Sequence, residues 1–197
     1  MSWLSVELYK LGMIKIGEFT LSSGLKSPFY IDLRRLYNYP TLARRIAQEL
    51  LGKIPEDLYD VIAGVETAGI PLATYMSCLS NKPLAYVRKE RKEHGTKSAV
   101  EGDVRGRRVL VVDDVATTGS SLHKAILSIK EAGGIPVLAV VVVDREQGAR
   151  ELLKIHGVEL VSLITATEMF RELYLKGYIN VETYLNIVNY IREFKRI

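Results

Sequence analysis

The sequence predicts an α/β protein, a mainly parallel twisted sheet flanked by helices, with a small N-terminal hood. Three observations carry that prediction. Apolar runs bounded by Gly, Asp and Pro recur at residues 61–65, 84–87, 109–112 and 137–143, with another near 160–164, and read as strands. Between them, 70–79, 121–132 and 149–156 have the length and mixed apolar spacing of helices crossing between parallel strands. The runs at 109–112 and 137–143 are apolar without alternation, as expected of strands covered on both faces, which places them centrally.

The elements follow in order. Phe19-Thr20-Leu21 and Phe29-Tyr30-Ile31 flank Ser22-Ser23-Gly24-Leu25-Lys26, the pattern of a hairpin, with helical patterns on either side. The strand and helix alternation then fills the middle of the chain. The tail, 167–194, reads as two helices broken near Gly177. We find no internal repeat and no linker. At 197 residues the chain is long enough for one full core, so a single domain is expected over 1–197. Its hood spans about 1–40, its core about 41–166, and helices 167–197 adjoin the hood.

Composition excludes several classes. With 48% hydrophobic and 25% charged residues, global disorder is ruled out. The single Cys78 forms no intramolecular disulfide, and residues 1–13 carry Glu7 and Lys10 rather than a basic start followed by an apolar run, so a cytoplasmic protein is expected. The longest apolar stretch, 135–143, is nine residues including a proline, far short of the roughly 20 that span a bilayer, so no membrane partner is expected. The net charge of +4 is concentrated. Between Lys82 and Arg108 stand nine Lys or Arg against four Asp or Glu, leaving 18 basic and 19 acidic residues elsewhere. A charge crowded around one loop, with Tyr86 as its one nearby aromatic, suits a small polyanion better than nucleic acid.

The most informative stretch follows the strand at 109–112: Asp113, Asp114, Val115, Ala116, Thr117, Thr118, Gly119, Ser120 and Ser121. At the carboxyl end of a parallel strand the chain enters the crevice where α/β proteins bind ligands, and the next helix offers backbone N–H groups to an anion. Gly119 lets the backbone approach closely, and the four hydroxyls add donors without charge. Two carboxylates would repel a phosphate in direct contact. They suit sugar hydroxyls or the water around a divalent ion, and sugar phosphate follows as the ligand class.

Hydrophobic strand, Asp-Asp, three residues and Thr-Gly-Ser-Ser resembles the phosphoribosyl pyrophosphate signature of type I phosphoribosyltransferases. The resemblance implies their fold and a substrate carrying a 5-phosphate and a 1-diphosphate with Mg2+, the ion arriving on the substrate rather than through direct protein ligands. Thr67, Ala68 and Gly69 stand where the family has its diphosphate loop, although the same residues also suit an ordinary Gly-containing βα turn. Arg88-Lys89-Glu90-Arg91-Lys92-Glu93-His94-Gly95 resembles the catalytic loop of orotate phosphoribosyltransferases. By that resemblance Arg88, Lys89, Lys92 and His94 bind the diphosphate substrate, and Lys92 stabilises the leaving oxygen as catalytic residue. The loop is expected to be shared across a homodimer interface.

Two further segments match that family. Phe19 to Tyr30 is similar to its N-terminal Ser-Gly-x-x-Ser-Pro segment, implying Lys26, Phe29 and Tyr30 in the base pocket; alternating strand packing accounts equally for Phe29 and Tyr30. Asp144-Arg145-Glu146-Gln147-Gly148 matches as well. Orotate differs from uracil by a carboxylate, and the guanidinium of Arg145 offers two parallel donors to hold it, with Thr117 contacting the same base by resemblance. Ser22 where the family often has Lys, and Thr67-Ala68 where it often has Tyr-Lys, remove positive charge from the expected site. The resemblance implies transfer of the 5-phosphoribosyl group to N1 of orotate in pyrimidine synthesis. A phosphoribosyltransferase for another base, and a noncatalytic sensor of phosphoribosyl pyrophosphate, are the rivals. His123 and His156 lack metal-ligand spacing. Cys78 is expected to be buried, and Trp3, Tyr174, Tyr178, Tyr184 and Tyr190 are expected as core or dimer contacts.

Overall fold

The computed structural model describes residues 2–20, 26–89 and 99–194. The chain opens with helix α1 (Ser2–Lys10) and an antiparallel pair, β1 (Ile14–Thr20) and β2 (Lys26–Ile31), in which Ile14 faces Ile31 and Thr20 faces Lys26. The expected hairpin is present, its turn falling outside the described residues. A 3-10 turn at Leu33–Asn38 leads to α2 (Pro40–Leu51), which starts on a proline, where the missing N–H removes no helix bond.

The core follows as β3 (Val61–Val65), α3 (Gly69–Ser80), β4 (Leu84–Val87), β5 (Val100–Glu101), β6 (Arg108–Ala116), α4 (Ser120–Glu131), β7 (Ile135–Asp144), α5 (Ala149–Lys154) and β8 (Glu159–Thr165), and the chain continues into α6 (Ala166–Leu175) and α7 (Val181–Phe194). The sheet order is β5-β4-β3-β6-β7-β8, parallel except for β5, which lies antiparallel to β4. The runs expected to be central are β6 and β7, flanked by β3 and β8. Their side chains divide by period two between two cores. Leu110, Val112, Leu138 and Val140 face the layer that holds the hood, α2 and α3; Val109, Val111, Ala139 and Val141 face the layer of α4 and α5.

Three features depart from the sequence reading. Strand β6 continues through Asp113 and Asp114 to Ala116, because Asp113 pairs with Val141 and Ala116 with Asp144; the two acids sit in the sheet rather than in a turn. Strand β5 is only two residues long and gave no periodic signal. Cys78 is exposed, since the buried stripe of α3 is Gly69, Leu72, Ala73 and Met76 and position 78 falls off it. The tail packs beside the hood: Phe29 of β2 meets Phe170 of α6 at 4.7 Å and Tyr190 of α7 edge-on at 5.9 Å.

Candidate active site

A cleft of about 650 Å³ opens at the carboxyl ends of β3, β6 and β7, roofed by the hood. Thr117, Thr118, Gly119, Ser120 and Ser121 line it together with Asp113, Asp114, Val115 and Ala116. Gly119 has φ +81°, and a Cβ there would stand 2.9 Å from the Ala149 Cα, so position 119 requires glycine on both counts. No side chain caps the start of α4, whose first N–H groups therefore face the cleft turn without a protein acceptor from that source. Four hydroxyls and a helix start in one turn form an anion cradle.

Asp113 and Asp114 are held by their own backbone. Asp113 Oδ1 accepts from the Asp114 N–H at 2.9 Å, and Asp114 Oδ1 accepts from the Val115 N–H at 2.8 Å. Burial pushes both carboxyls above the usual carboxylate range, and the neighbouring Asp114 adds to the shift at Asp113. Among the described residues neither forms an ion pair with Lys or Arg. Such a pair gains from cationic or hydroxyl-rich company. This donor set fits a sugar diol and the hydration shell of a divalent ion better than a free phosphate.

Arg145 lies at the floor of the cleft, 3% exposed. Its Nη2 donates to Ser27 Oγ at 3.0 Å, its guanidinium stacks over the Phe29 ring at 4.5 Å, and its buried Nε has no partner. The adjacent Asp144 does not neutralise it, because that carboxylate is bound by Arg150 Nε at 2.7 Å and by the Glu146 N–H at 2.8 Å. Burial lowers the Arg145 pKa. A buried guanidinium with no carboxylate among the described residues is a receptor for an anion.

On the opposite wall Thr67 and Ala68 line the cleft, and Gly69 packs beneath them. A Cβ on Gly69 would collide with the Val112 carbonyl oxygen, so glycine lets this loop lie directly on β6. Tyr37 Oη donates to the Ala68 carbonyl at 2.6 Å and fixes the loop from the hood side; burial raises the Tyr37 pKa, keeping its proton in place.

The structure brings some expected residues to the cleft and leaves others away. Tyr30 lines it. Phe29, expected as a pocket wall, is instead fully buried under Arg145, because the alternation of β2 turns it into the core. Lys26 is exposed at the start of β2 and is not part of the cleft lining. Arg88 and Lys89 line an adjoining cavity of about 560 Å³ that shares Glu66, Thr67, Ser120 and Ser121 with the cleft. Lys92 and His94 lie outside the described residues.

Six lining residues were not called as site residues from the sequence: Thr20, Ile31, Asp32, Arg34, Glu66 and Leu122. Arg34 grips Asp32 with two bonds, Nε to Oδ1 at 2.7 Å and Nη2 to Oδ2 at 2.8 Å, and reaches Tyr30 Oη at 3.1 Å. The spacing Tyr30-x-Asp32-x-Arg34, running from the end of β2 through the cap of the 3-10 turn into that turn, was the available signal. His123 and His156 meet edge-on at 4.5 Å, away from the cleft lining, and among the described residues no third ligand-type side chain joins them.

Comparison with known proteins gives a consistent picture. Residues 34–172 match the phosphoribosyl transferase domain family. The orotate phosphoribosyltransferase of Staphylothermus marinus is 47% identical over 190 residues, covering 96% of this chain and 94% of that one. The crystal structure of orotate phosphoribosyltransferase from Aeropyrum pernix is 43% identical with a TM-score of 0.77, covering 90% of this chain and 99% of that one, so the likeness runs through both chains nearly end to end. The structure of Leishmania donovani UMP synthase superposes with a TM-score of 0.88 at 32% identity over 98% of this chain, which spans 42% of that longer protein.

Proposed function

The chain belongs to the orotate phosphoribosyltransferases, and from that premise we propose how its cleft carries out the transfer of a 5-phosphoribosyl group from phosphoribosyl pyrophosphate to N1 of orotate. The single observation that carries the substrate assignment is Arg145: a buried, carboxylate-free guanidinium beside a phosphate cradle calls for a ligand with its own carboxylate. The 5-phosphate occupies the turn Thr117–Ser121, where backbone N–H groups and hydroxyls meet it without added charge. Asp113 and Asp114 accept from the ribose hydroxyls. Thr67 and Ala68 receive the diphosphate, and Tyr30 flanks the base, whose carboxylate sits on Arg145 with Thr117 beside it.

Orotate then needs no strong base. Its N1 attacks C1 as the C1–O bond to diphosphate breaks, and the protein contributes alignment and exclusion of water. Asp113 and Asp114 would hold the water shell of a substrate-bound Mg2+, which would supply charge neutralisation at the diphosphate. Lys92, with Arg88, Lys89 and His94, supplies cationic donors to the leaving oxygen. The lining residues of the described cleft carry four carboxylates, on Asp32, Glu66, Asp113 and Asp114, against Arg34 and Arg145, which supports a requirement for these further cations.

We read the working unit as a cytoplasmic homodimer. Helix α3 is apolar on nearly all sides yet only one stripe of it is buried, and Leu84 and Tyr86 of the adjacent β4 are 37% and 36% exposed. A helix apolar all round is ordinarily covered. A second copy of the chain on this face covers it and brings two diphosphate loops, which follow directly from β3 into α3, near one interface.

Loss of orotate absorbance on mixing protein, orotate, phosphoribosyl pyrophosphate and Mg2+ tests the reading. Turnover requiring all components and falling at least about a hundredfold in Lys92→Ala, the scale of one lost transition-state contact, is expected. Turnover with a base lacking the carboxylate, or none with any base, overturns it.

A further inference from the structure

Glu66 stands between β3 and the diphosphate loop, a place where a carboxylate is electrostatically unwelcome to an incoming polyanion. Its contacts give a reason for it. The Glu66 N–H donates to the Val87 carbonyl at 2.9 Å, extending the β3–β4 ladder by one rung. Its Oε2 then accepts from the Lys89 N–H at 2.8 Å, beyond the end of β4. Between these two bonds Arg88 donates its N–H to the Ala99 carbonyl at 2.8 Å, and its guanidinium lies 3.6 Å from Glu101. Residues 87–89 are thus tied alternately to the diphosphate loop and to the β5 side.

We propose that Glu66 is a positioning residue that clasps the backbone at Lys89 to the diphosphate loop, setting where the chain leaves the sheet three residues before Lys92. This rests on the orotate phosphoribosyltransferase reading and names a part of its machinery. The clasp joins the loop that receives the diphosphate to the segment whose cations meet the leaving oxygen, so the two stay in register while substrate comes and goes. The residue lines both of the two adjoining cavities. What the position needs is an acceptor rather than a charge.

That distinction supplies the test. In Glu66→Gln the amide oxygen still accepts from the Lys89 N–H, whereas Glu66→Ala removes the acceptor. Hydrogen exchange at the Lys89 amide is expected to speed about tenfold in Glu66→Ala, the worth of one hydrogen bond to an ionised partner, and to stay within about threefold of the parent in Glu66→Gln. Steady-state kinetics are expected to follow: kcat falls and KM for phosphoribosyl pyrophosphate rises several-fold in the alanine variant, KM for orotate is unchanged, and glutamine restores both. Unchanged exchange in Glu66→Ala, or equal kinetic loss in both variants, overturns the clasp. An inactive parent protein with the exchange pattern intact would instead count against the orotate assignment, which separates the two failures.

Discussion

Replacing Arg145 by methionine should cost activity while leaving stability nearly unchanged. The side chain is 3% exposed, donates to Ser27 Oγ at 3.0 Å, interacts with the Tyr190 hydroxyl, lies 4.5 Å over Phe29, and leaves Nε unpartnered. In the unliganded protein methionine gives up about 1 kcal/mol of hydrogen bond and about 1–2 kcal/mol of cation–π contact, and gains by removing an ion buried without a carboxylate, a cost of several kcal/mol before relaxation. The terms nearly cancel, and methionine keeps most of the apolar packing on Phe29. Stability should therefore change by no more than about 1 kcal/mol, read from the denaturant midpoint. With orotate the balance differs: losing a two-point charge-assisted contact costs about 3 kcal/mol, or roughly 150-fold in KM for orotate. KM for phosphoribosyl pyrophosphate should stay within about twofold. Absorbance kinetics at varied concentration of each substrate measure both. If the two Michaelis constants rise together, or if orotate saturates the variant as it does the parent, Arg145 does not read the carboxylate.

Gly69→Ala should destabilise the fold by about 1–3 kcal/mol and weaken phosphoribosyl pyrophosphate binding, because its Cβ has nowhere to go but into the Val112 carbonyl; thermal melting and the Michaelis constant report the two effects. Asp113→Asn should raise stability near neutral pH by on the order of 1 kcal/mol while cutting turnover, since the amide still accepts from the Asp114 N–H but removes a buried charge. The pH dependence has a definite sign. A carboxyl whose folded pKa stands above its ordinary 3.8 favours the folded state fully below that value and loses the contribution as pH rises through the folded pKa. Unfolding free energy of the parent measured upward from pH 4 should show this decline, and Asp113→Asn should flatten it.

The sheet was legible because its information is local. Strands β3, β4, β6, β7 and β8 each announce themselves as an apolar run closed by Gly, Asp or Pro, and the absence of alternation in β6 and β7 correctly implied cover on both faces. The cradle was legible for the same reason, since its hydroxyls and glycine are consecutive. What stayed hidden depends on contacts between distant segments. Strand β5 exists only because Val100 finds Val87, and Arg34 enters the cleft only because β2 ends beneath the hood roof. Phe29 and Tyr30 show the limit most plainly: both are aromatic neighbours on one strand, and only the direction of the pleat decides that the first supports Arg145 from the core while the second faces the cleft.

That division of labour explains why the cleft can hold so much unpaired charge. Arg145 lacks a carboxylate among the described residues, Asp113 and Asp114 form no ion pair there, and each would relax toward a partner if its backbone were free to move. None is free. Asp113 is registered in β6 against Val141 and Asp114 lies between that rung and the Val115–Val143 rung, Arg145 follows β7 and donates its N–H to the Ala116 carbonyl at 2.8 Å, and Phe29 holds the guanidinium from below. A rigid parallel sheet thus carries the electrostatic cost of this cleft, and a ligand that brings a carboxylate and hydroxyls to it would recover that cost on binding. The same reasoning predicts sharp selection: a base without the carboxylate would leave Arg145 buried without an anion, a penalty of several kcal/mol that no gain in apolar contact within this polar cleft offsets.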